Sequence, residues 1–129
     1  MIQSFEDLFI FQSARELCIK IYKITENESF ASDYRFVQQI HAAAGSIMDN
    51  IAEGFERSGN KEFLNFLYIA KASCGEVRSQ IIRAHDVGHI TTDEFENLYN
   101  DTKKLSASIM NFTKELKSKG YKGFKYSEQ

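Results

Sequence analysis

Hydrophobic positions in the middle of the chain recur at the spacing of an α-helix. Between Gln39 and Gly54 the periodic apolar residues are Ile40, Ala44, Ile47 and Ile51. Steps of three and four place such residues on one face of a helix that packs against a core. We therefore predict a helix over residues 33–55.

The same periodicity predicts three further helices, over residues 5–25, 61–87 and 91–119. Their predicted core faces are Ile10, Ala14, Leu17, Ile21 and Ile24 in the first, Phe63, Leu67, Ala70, Cys74, Val77 and Ile81 in the third, and Leu98, Thr102, Leu105, Ile109, Phe112 and Leu116 in the fourth. Short links between long helices favour antiparallel neighbours. The predicted fold is an all-α, antiparallel up-down-up-down four-helix bundle over residues 1–120, followed by a basic and aromatic tail over 121–129.

Capping residues and glycines mark the predicted helix ends. Ser4 with Asp7, and Thr91 with Glu94, have the spacing of capping boxes. Gly88 is the predicted C-terminal cap of the third helix, and Gly59 is predicted to take a positive φ with Ser58 or Asn60 capping the next helix. Mid-helix Gly75 is predicted to allow close approach of another backbone. Phe30 is the predicted anchor of the first link.

A row of polar residues follows the apolar face of the second helix. Buried polar groups need hydrogen-bond partners, so we expect this row to meet a matching row on the third helix. The predicted structural network consists of Ser46, Asn50, Glu53, Ser73, Glu76 and Gln80. The alternative interpretation makes Glu53 and Glu76 an acid and base in an active site. The structural interpretation is favoured because no nucleophile–base pair accompanies them.

Composition indicates one globular domain. The 129 residues are 43% hydrophobic and 26% charged, which is ordinary for a soluble protein. We find no run long enough to span a membrane and no secretory signal, so we expect a cytoplasmic protein. Cys18 and Cys74 fall among apolar neighbours, where free cysteine behaves as a small buried hydrophobe.

Metal and cofactor sites have no support in the sequence. A di-metal bundle requires Glu-x-x-His motifs, and His41, His85 and His89 have no such carboxylate in the same helix. We interpret them as surface or hydrogen-bonded histidines. The glycines lack the spacing of a phosphate-binding loop, so we predict no cofactor and no metal.

Basic charge is concentrated late in the chain. The formal net charge is −2, but from Thr102 onward seven basic residues accompany two acidic ones. The candidate nucleic-acid contacts are Lys114, Lys117, Lys119, Lys122 and Lys125, with Tyr121, Phe124 and Tyr126 available to stack on unpaired bases. The alternative is that lysines near a helix C-terminus simply offset its dipole.

Apolar residues on the first and third helices exceed what one four-helix core should absorb. They include Phe9, Ile10, Leu64, Phe66, Tyr68 and Ile69. Self-association would cover this excess.

Several of these residues together resemble the 23S rRNA-intervening sequence proteins. The resemblance covers Phe5 to Leu8, Ala14 to Leu17, Gln39, Phe63 to Ala70, Ser73 and Glu76, and is most specific in the run from Ser46 to Gly54, Ser-Ile-x-x-Asn-Ile-Ala-Glu-Gly. It implies a small bacterial four-helix bundle of unsettled function, with nucleic-acid binding the usual conjecture. By likeness to the related accessory protein of diversity-generating retroelements, it also implies a ring-shaped homopentamer.

Three positions depart from the family pattern. Phe11 stands where tryptophan is frequent, Ala31 where proline is frequent, and His41-Ala42 where a basic pair is frequent. The last departure leaves only the late lysines as candidate nucleic-acid contacts.

Three hypotheses follow. The first is a non-enzymatic homo-oligomer that acts as a nucleic-acid-associated scaffold or accessory factor. The second is a partner-binding adaptor that binds no nucleic acid. The third is an enzyme using Glu53 and Glu76.

Overall fold

Five α-helices and one 3-10 turn make up the part of the chain that the structure describes. The structure is a computed structural model that describes residues 2–119, with side chains through residue 118. The 3-10 turn spans Phe5–Asp7 and precedes α1 (Phe9–Ile24), α2 (Glu28–Ala31), α3 (Tyr34–Glu56), α4 (Asn60–Asp86) and α5 (Thr92–Lys119). No strand occurs within residues 2–119. The all-α class is confirmed, and the proposed tail over 121–129 lies outside the described residues.

Contacts between the long helices show their relative directions. Gln39 of α3 meets Arg83 of α4, while Ser46 further along α3 meets Ser73, so these two helices are antiparallel. The thiol of Cys74 contacts α5 at Thr102, and Lys117 lies over the ring of Tyr68, which makes α4 and α5 antiparallel as well. Both pairs run as an up-down order requires.

The core consists of the predicted apolar faces. In α3, Ile40, Ala44, Ile47 and Ile51 are fully buried, and the predicted face of α4 is buried throughout. Two positions are only partly buried, Ile24 at the end of α1 and Phe112 in α5. Periodicity therefore identified the inward side of every long helix.

The predicted first helix is interrupted at Leu8. The Asp7 carboxylate accepts hydrogen bonds from the backbone N–H groups of Gln3 and Ser4, at 3.0 and 3.1 Å, and this closes the 3-10 turn. Leu8 is extended, with φ −75° and ψ 129°, and its side chain is buried. The prediction of one helix from residue 5 was wrong, because the capping box closes a separate turn and α1 begins at Phe9.

The first link contains a short helix that the sequence did not predict. The Asn27 side chain accepts a hydrogen bond from the Phe30 N–H at 2.9 Å and so caps α2. Phe30 is fully buried, as expected of an anchor.

Besides the Ser4–Asp7 capping box, two of the predicted caps are confirmed and one is wrong. Gly88 has φ +84°, and the next N–H, from His89, donates to the carbonyl of Ala84 at 2.9 Å, the pattern of a Schellman turn. Thr91 and Glu94 form the predicted capping box with bonds of 2.8 and 3.1 Å. Gly59, however, has φ −112°, and no side-chain cap begins α4.

Candidate functional site

The α3–α4 seam carries a bridge between two hydroxyl groups. Ser46 Oγ and Ser73 Oγ are 2.9 Å apart, and Ser73 is buried. The amide of Asn50 donates to the carbonyl of Ser46 at 2.7 Å and to its Oγ at 2.9 Å. Ser46, Asn50 and Ser73, hereafter the serine bridge, thus satisfy one another at the edge of the core.

Glu53 lies outside the serine bridge. Its carboxylate forms an ion pair with Arg57, one turn later in the chain, at 2.9 Å, and the two side chains are 54% and 45% exposed. The Arg57 guanidinium also lies 5.0 Å from the centre of the Phe66 ring. Glu53 therefore belongs to an exposed cluster at the end of α3, where an ion pair contributes little to stability.

Glu76 and Gln80 form a separate pair within α4. The Gln80 amide nitrogen lies 3.4 Å from the Glu76 carboxylate, which is a long hydrogen bond. Gln80 is buried, and its Oε1 has no hydrogen-bond partner among the described residues. The structure thus brings three of the six predicted network residues together and divides the others between two pairs. No hydrogen bond among the described side chains joins Glu53 to Glu76.

Gly54 allows α3 and α4 to approach closely at the end of this seam. A Cβ atom at Gly54 would lie 2.7 Å from Phe66 Cβ and 3.0 Å from the Phe63 ring. At Gly75, by contrast, a Cβ atom would meet nothing within 4 Å. The prediction of close approach at Gly75 was wrong, because no atom of another element among the described residues lies that near to it.

A basic face runs along the seam between α4 and α5. Lys71 and Arg78 are two turns apart on α4, and both act electrostatically on the Cys74 thiol, which contacts α5. On α5, Lys103, Lys114 and Lys117 are spaced eleven and three residues apart, which places them on one side of that helix. The basic face comprises Lys71, Arg78, Lys103, Lys114 and Lys117.

Two tyrosines lie among these cations. Lys117 Nζ is 5.4 Å from the centre of the Tyr68 ring on the neighbouring helix, and Lys103 Nζ is 5.7 Å from that of Tyr99. Tyr68 is 39% exposed. Basic groups interleaved with accessible aromatic rings can bind a phosphate backbone and stack on bases.

The predicted late lysines are only partly described. Lys114 and Lys117 are exposed on the basic face. Lys122, Lys125 and the side chain of Lys119 lie outside the described part of the chain. Sequence reasoning missed Lys71 and Arg78 because it grouped charges by segment of the chain, whereas their seven-residue spacing was the available signal.

His41 and His85 have ordinary hydrogen-bond partners. His41 Nε2 lies 2.9 Å from Thr25 Oγ1, and its ring stacks on Tyr22 at 3.7 Å. Burial lowers the pKa of His41 from its usual value. His85 contacts the Thr92 hydroxyl at 3.2 Å.

His89 joins two residues from distant parts of the chain. Its Nδ1 lies 2.8 Å from Ser29 Oγ, and its Nε2 lies 3.0 Å from Asp33 Oδ2. Ser29, Asp33 and His89 are hereafter the His89 cluster. No sequence pattern indicates this cluster, because sixty residues separate Ser29 from His89 and only the fold brings them together.

The cysteines and acidic groups provide no metal site in the described part of the chain. Burial raises the pKa of the Cys74 thiol to about 11, and the thiol donates to the Thr102 carbonyl at 3.1 Å. Both cysteines are free. No group of three histidine, cysteine or acidic side chains among these residues could hold a metal ion.

Comparison with known proteins identifies the family. The family model described as 23S rRNA-intervening sequence protein matches residues 6–111. The chain belongs to this family. The match includes the serine bridge, the His89 cluster and three members of the basic face, whereas Lys114 and Lys117 lie beyond it. No curated protein matches the chain.

A solved structure supports the fold of this 23S rRNA-intervening sequence family member. It is a protein of unknown function from the S23 ribosomal protein family of Bacteroides thetaiotaomicron VPI-5482. The TM-score is 0.75 at 23% identity, over 81% of this chain and 98% of that chain. Within residues 2–119, no helix is both long and apolar enough to cross a membrane.

Proposed function

We propose that this family member is a non-enzymatic homo-oligomer that acts as a cytoplasmic, nucleic-acid-associated scaffold or accessory factor. The observation that carries the proposal is the basic face, which draws cations from α4 and α5 and on which Lys117 lies 5.4 Å from the exposed ring of Tyr68. Glu76 lies on α4 beside Gln80, and Glu53 lies on α3 beside Arg57, so neither belongs to the basic face. The five residues that define this face are all basic, although the net charge of the chain is −2.

Single-stranded RNA or DNA fits this face better than a duplex. Every base has a π-face that can stack on Tyr68 or Tyr99, while Lys71, Arg78 and Lys103 can follow the backbone phosphates. An unpaired strand is also flexible enough to follow the shallow seam between two helices.

Salt-dependent binding tests this half of the proposal. Fluorescence anisotropy with a labelled single-stranded RNA would compare the wild type with the double variant Lys71→Gln, Arg78→Gln. Loss of two phosphate contacts reduces the slope of log K against log salt by about 1.4. The matched control is Arg15→Gln, Lys23→Gln, which removes the same charge from α1 and should leave the slope unchanged. Absence of binding at low salt, or equal loss in the control, contradicts the proposal.

Self-association is supported by apolar side chains left exposed by the bundle. Phe9 and Ile19 on α1 are 69% and 48% exposed, and Ile69 and Ile82 on α4 are 48% and 41% exposed. A second copy packed on these positions would remove them from water. The family resemblance makes five subunits the expected number.

Light scattering tests the oligomer. We expect one species whose mass is a multiple of the 14.8 kDa chain mass. Ile69→Lys should lower that mass, while Asn100→Lys on the exposed side of α5 should not. A monomer at all concentrations contradicts this half of the proposal.

The alternative is a partner-binding adaptor without nucleic acid. The exposure of Phe9 and Ile19 favours it, since these side chains also suit a protein partner. The titration separates the two functions, because an adaptor does not bind RNA in a salt-dependent way.

A further inference from the structure

The His89 cluster forms a continuous chain of hydrogen bonds through one imidazole ring. Ser29 Oγ contacts one ring nitrogen at 2.8 Å, and Asp33 Oδ2 contacts the other at 3.0 Å. The three residues come from α2, from the residue that precedes α3, and from the turn between α4 and α5. A hydroxyl, an imidazole and a carboxylate in this order make up the triad used in acyl transfer.

The positions of the protons follow from the chemistry of the three groups. The hydrogen bond from His89 lowers the pKa of Asp33, so this carboxylate is ionised at neutral pH and can only accept a hydrogen bond. His89 Nε2 must therefore carry the ring proton. In the neutral form of this tautomer the lone pair is on Nδ1, which can accept the proton of the Ser29 hydroxyl.

The surrounding residues hold the imidazole in place. The Phe30 ring stacks on it at 4.9 Å with an angle of 22° between the planes. The backbone of His89 is fixed too, because its N–H donates to Ala84 and its carbonyl accepts from the Asn27 amide at 3.0 Å. The His89 side chain is only 13% exposed. The base is thus preorganised, as general-base catalysis requires.

Ser29 itself is accessible from solvent. It lies in the exposed part of α2, on the outside of the bundle. A reagent in solution can therefore reach the hydroxyl while the base behind it stays shielded. This combination differs from Ser32 in the same turn, whose hydroxyl donates to the carbonyl of Ser29 and contacts no histidine.

We propose that Ser29 is an activated nucleophile that accepts acyl groups from small soluble carboxylic esters, with His89 as general base and Asp33 as positioning residue. This activity goes beyond the proposed scaffold function. Labelling of Ser29 would replace the non-enzymatic part of that proposal, whereas nucleic-acid binding and self-association have their own separate tests. Small esters are the substrate class because Ser29 lies on an exposed surface, where few neighbouring side chains could position a large substrate.

The reaction is balanced by the groups present and by water. Ser29 Oγ forms a bond to the ester carbonyl carbon while its proton moves to Nδ1 of His89, and Asp33 stabilises the resulting imidazolium. The bond to the alcohol oxygen breaks, and the alcohol leaves with the proton from Nδ1. Water then attacks the acyl-Ser29 ester with the same base, releasing the carboxylic acid and restoring the hydroxyl.

A fluorophosphonate probe tests the nucleophile directly, because it forms a stable adduct with activated serines and releases fluoride. Intact-mass and peptide mass spectrometry of the full chain should locate one adduct at Ser29. Ser29→Ala should abolish it, and His89→Gln should slow labelling on the order of a hundredfold. Ser32→Ala is the matched control and should label at the wild-type rate.

The role of Asp33 needs a separate readout. Asp33→Asn should slow labelling with no change in the circular dichroism spectrum, and Asp33→Glu should recover part of the rate. Hydrolysis of p-nitrophenyl acetate above the rate of Ser29→Ala would show that the acyl group turns over. If folded wild type gives no adduct at Ser29, or if His89→Gln and Asp33→Asn both label at the wild-type rate, the proposal is overturned and the cluster only links α2 to the α4–α5 turn.

Discussion

Ser46 and Ser73 meet across the α3–α4 seam, with 2.9 Å between their hydroxyl oxygens. A second bond across the seam, from Arg83 to Gln39 at 3.3 Å, lies nearer the start of α3. Apolar side chains can pack in more than one register, whereas paired hydroxyl groups at a buried edge match in only one. We infer that these two hydrogen bonds fix the register of α3 relative to α4.

The serine bridge should therefore contribute measurably to stability. In a double-mutant cycle, Ser46→Ala and Ser73→Ala should show a coupling of about 1 kcal/mol in the free energy of unfolding. Either single change removes one hydrogen-bond partner from the remaining hydroxyl, which lies at a buried site. Chemical denaturation measures each variant, and Ser79→Ala on the exposed side of α4 is the control. Strict additivity of the two changes would show that the hydroxyl contact has no net effect.

Gly54 should be intolerant of even one methyl group. The added Cβ of Gly54→Ala would lie 2.7 Å from Phe66 Cβ, so α3 and α4 would have to separate. We expect a loss of about 1–3 kcal/mol in the free energy of unfolding, as for other overpacked cores. Denaturant midpoints would measure it.

Gly45 provides the matched control within the same helix. A Cβ atom there meets nothing within 4 Å, so Gly45→Ala should gain about 0.5–1 kcal/mol from helix propensity alone. If both substitutions stabilise the protein, the close approach at Gly54 is not a constraint.

The sequence predicted most of the fold because each long helix has a clear apolar face. Ile47 in α3 and Phe63 in α4 each belong to a series of apolar residues that recurs every three or four positions. Such a series is visible in the sequence alone, because it depends only on the spacing of residues along the chain. Gly75 was misinterpreted because a mid-helix glycine has the same appearance in sequence whether it faces another helix or open surface. Gly54 and Gly75 could be told apart only by the packing.

The candidate sites were less predictable because they combine distant segments. Ser29 and His89 become neighbours only when the α4–α5 turn folds over α2. Lys71 and Lys117 likewise belong to one surface only after α4 and α5 pack. Glu53 and Glu76 were predicted to share one network, yet Glu53 pairs with Arg57 directly after the end of α3, and Glu76 pairs with Gln80 within α4.

His41 should make stability fall as the solution becomes acidic. Burial lowers its pKa in the folded state below the usual value of 6.5, so the unfolded chain binds the proton more readily. Stability from this source is complete above about pH 6.5 and is lost as the pH falls through that value and then through the lower folded pKa. Denaturant midpoints at several pH values would show the decline.

The variant His41→Gln isolates this effect. The Thr25 hydroxyl donates to the Tyr22 carbonyl at 2.9 Å, so its oxygen accepts from Nε2–H of His41. The amide of a glutamine can donate to the same oxygen but does not titrate. The decline between neutral and mildly acidic pH should therefore be smaller in the variant than in the wild type. Equal declines would assign the pH dependence to other groups.

Substitution of Gln80 tests whether the polar residues of the α3–α4 seam beyond the serine bridge hold these two helices in register. Its side chain is buried, its Oε1 has no partner among the described residues, and its amide nitrogen makes only the 3.4 Å contact to Glu76. A buried polar atom without a partner is costly, so Gln80→Leu should leave the free energy of unfolding unchanged or raise it by about 1 kcal/mol. Gln38→Leu on the exposed side of α3 is the control and should stay within about 0.5 kcal/mol of the wild type. A loss of more than about 1 kcal/mol in Gln80→Leu alone would instead make the amide part of the register-fixing set with the serine bridge.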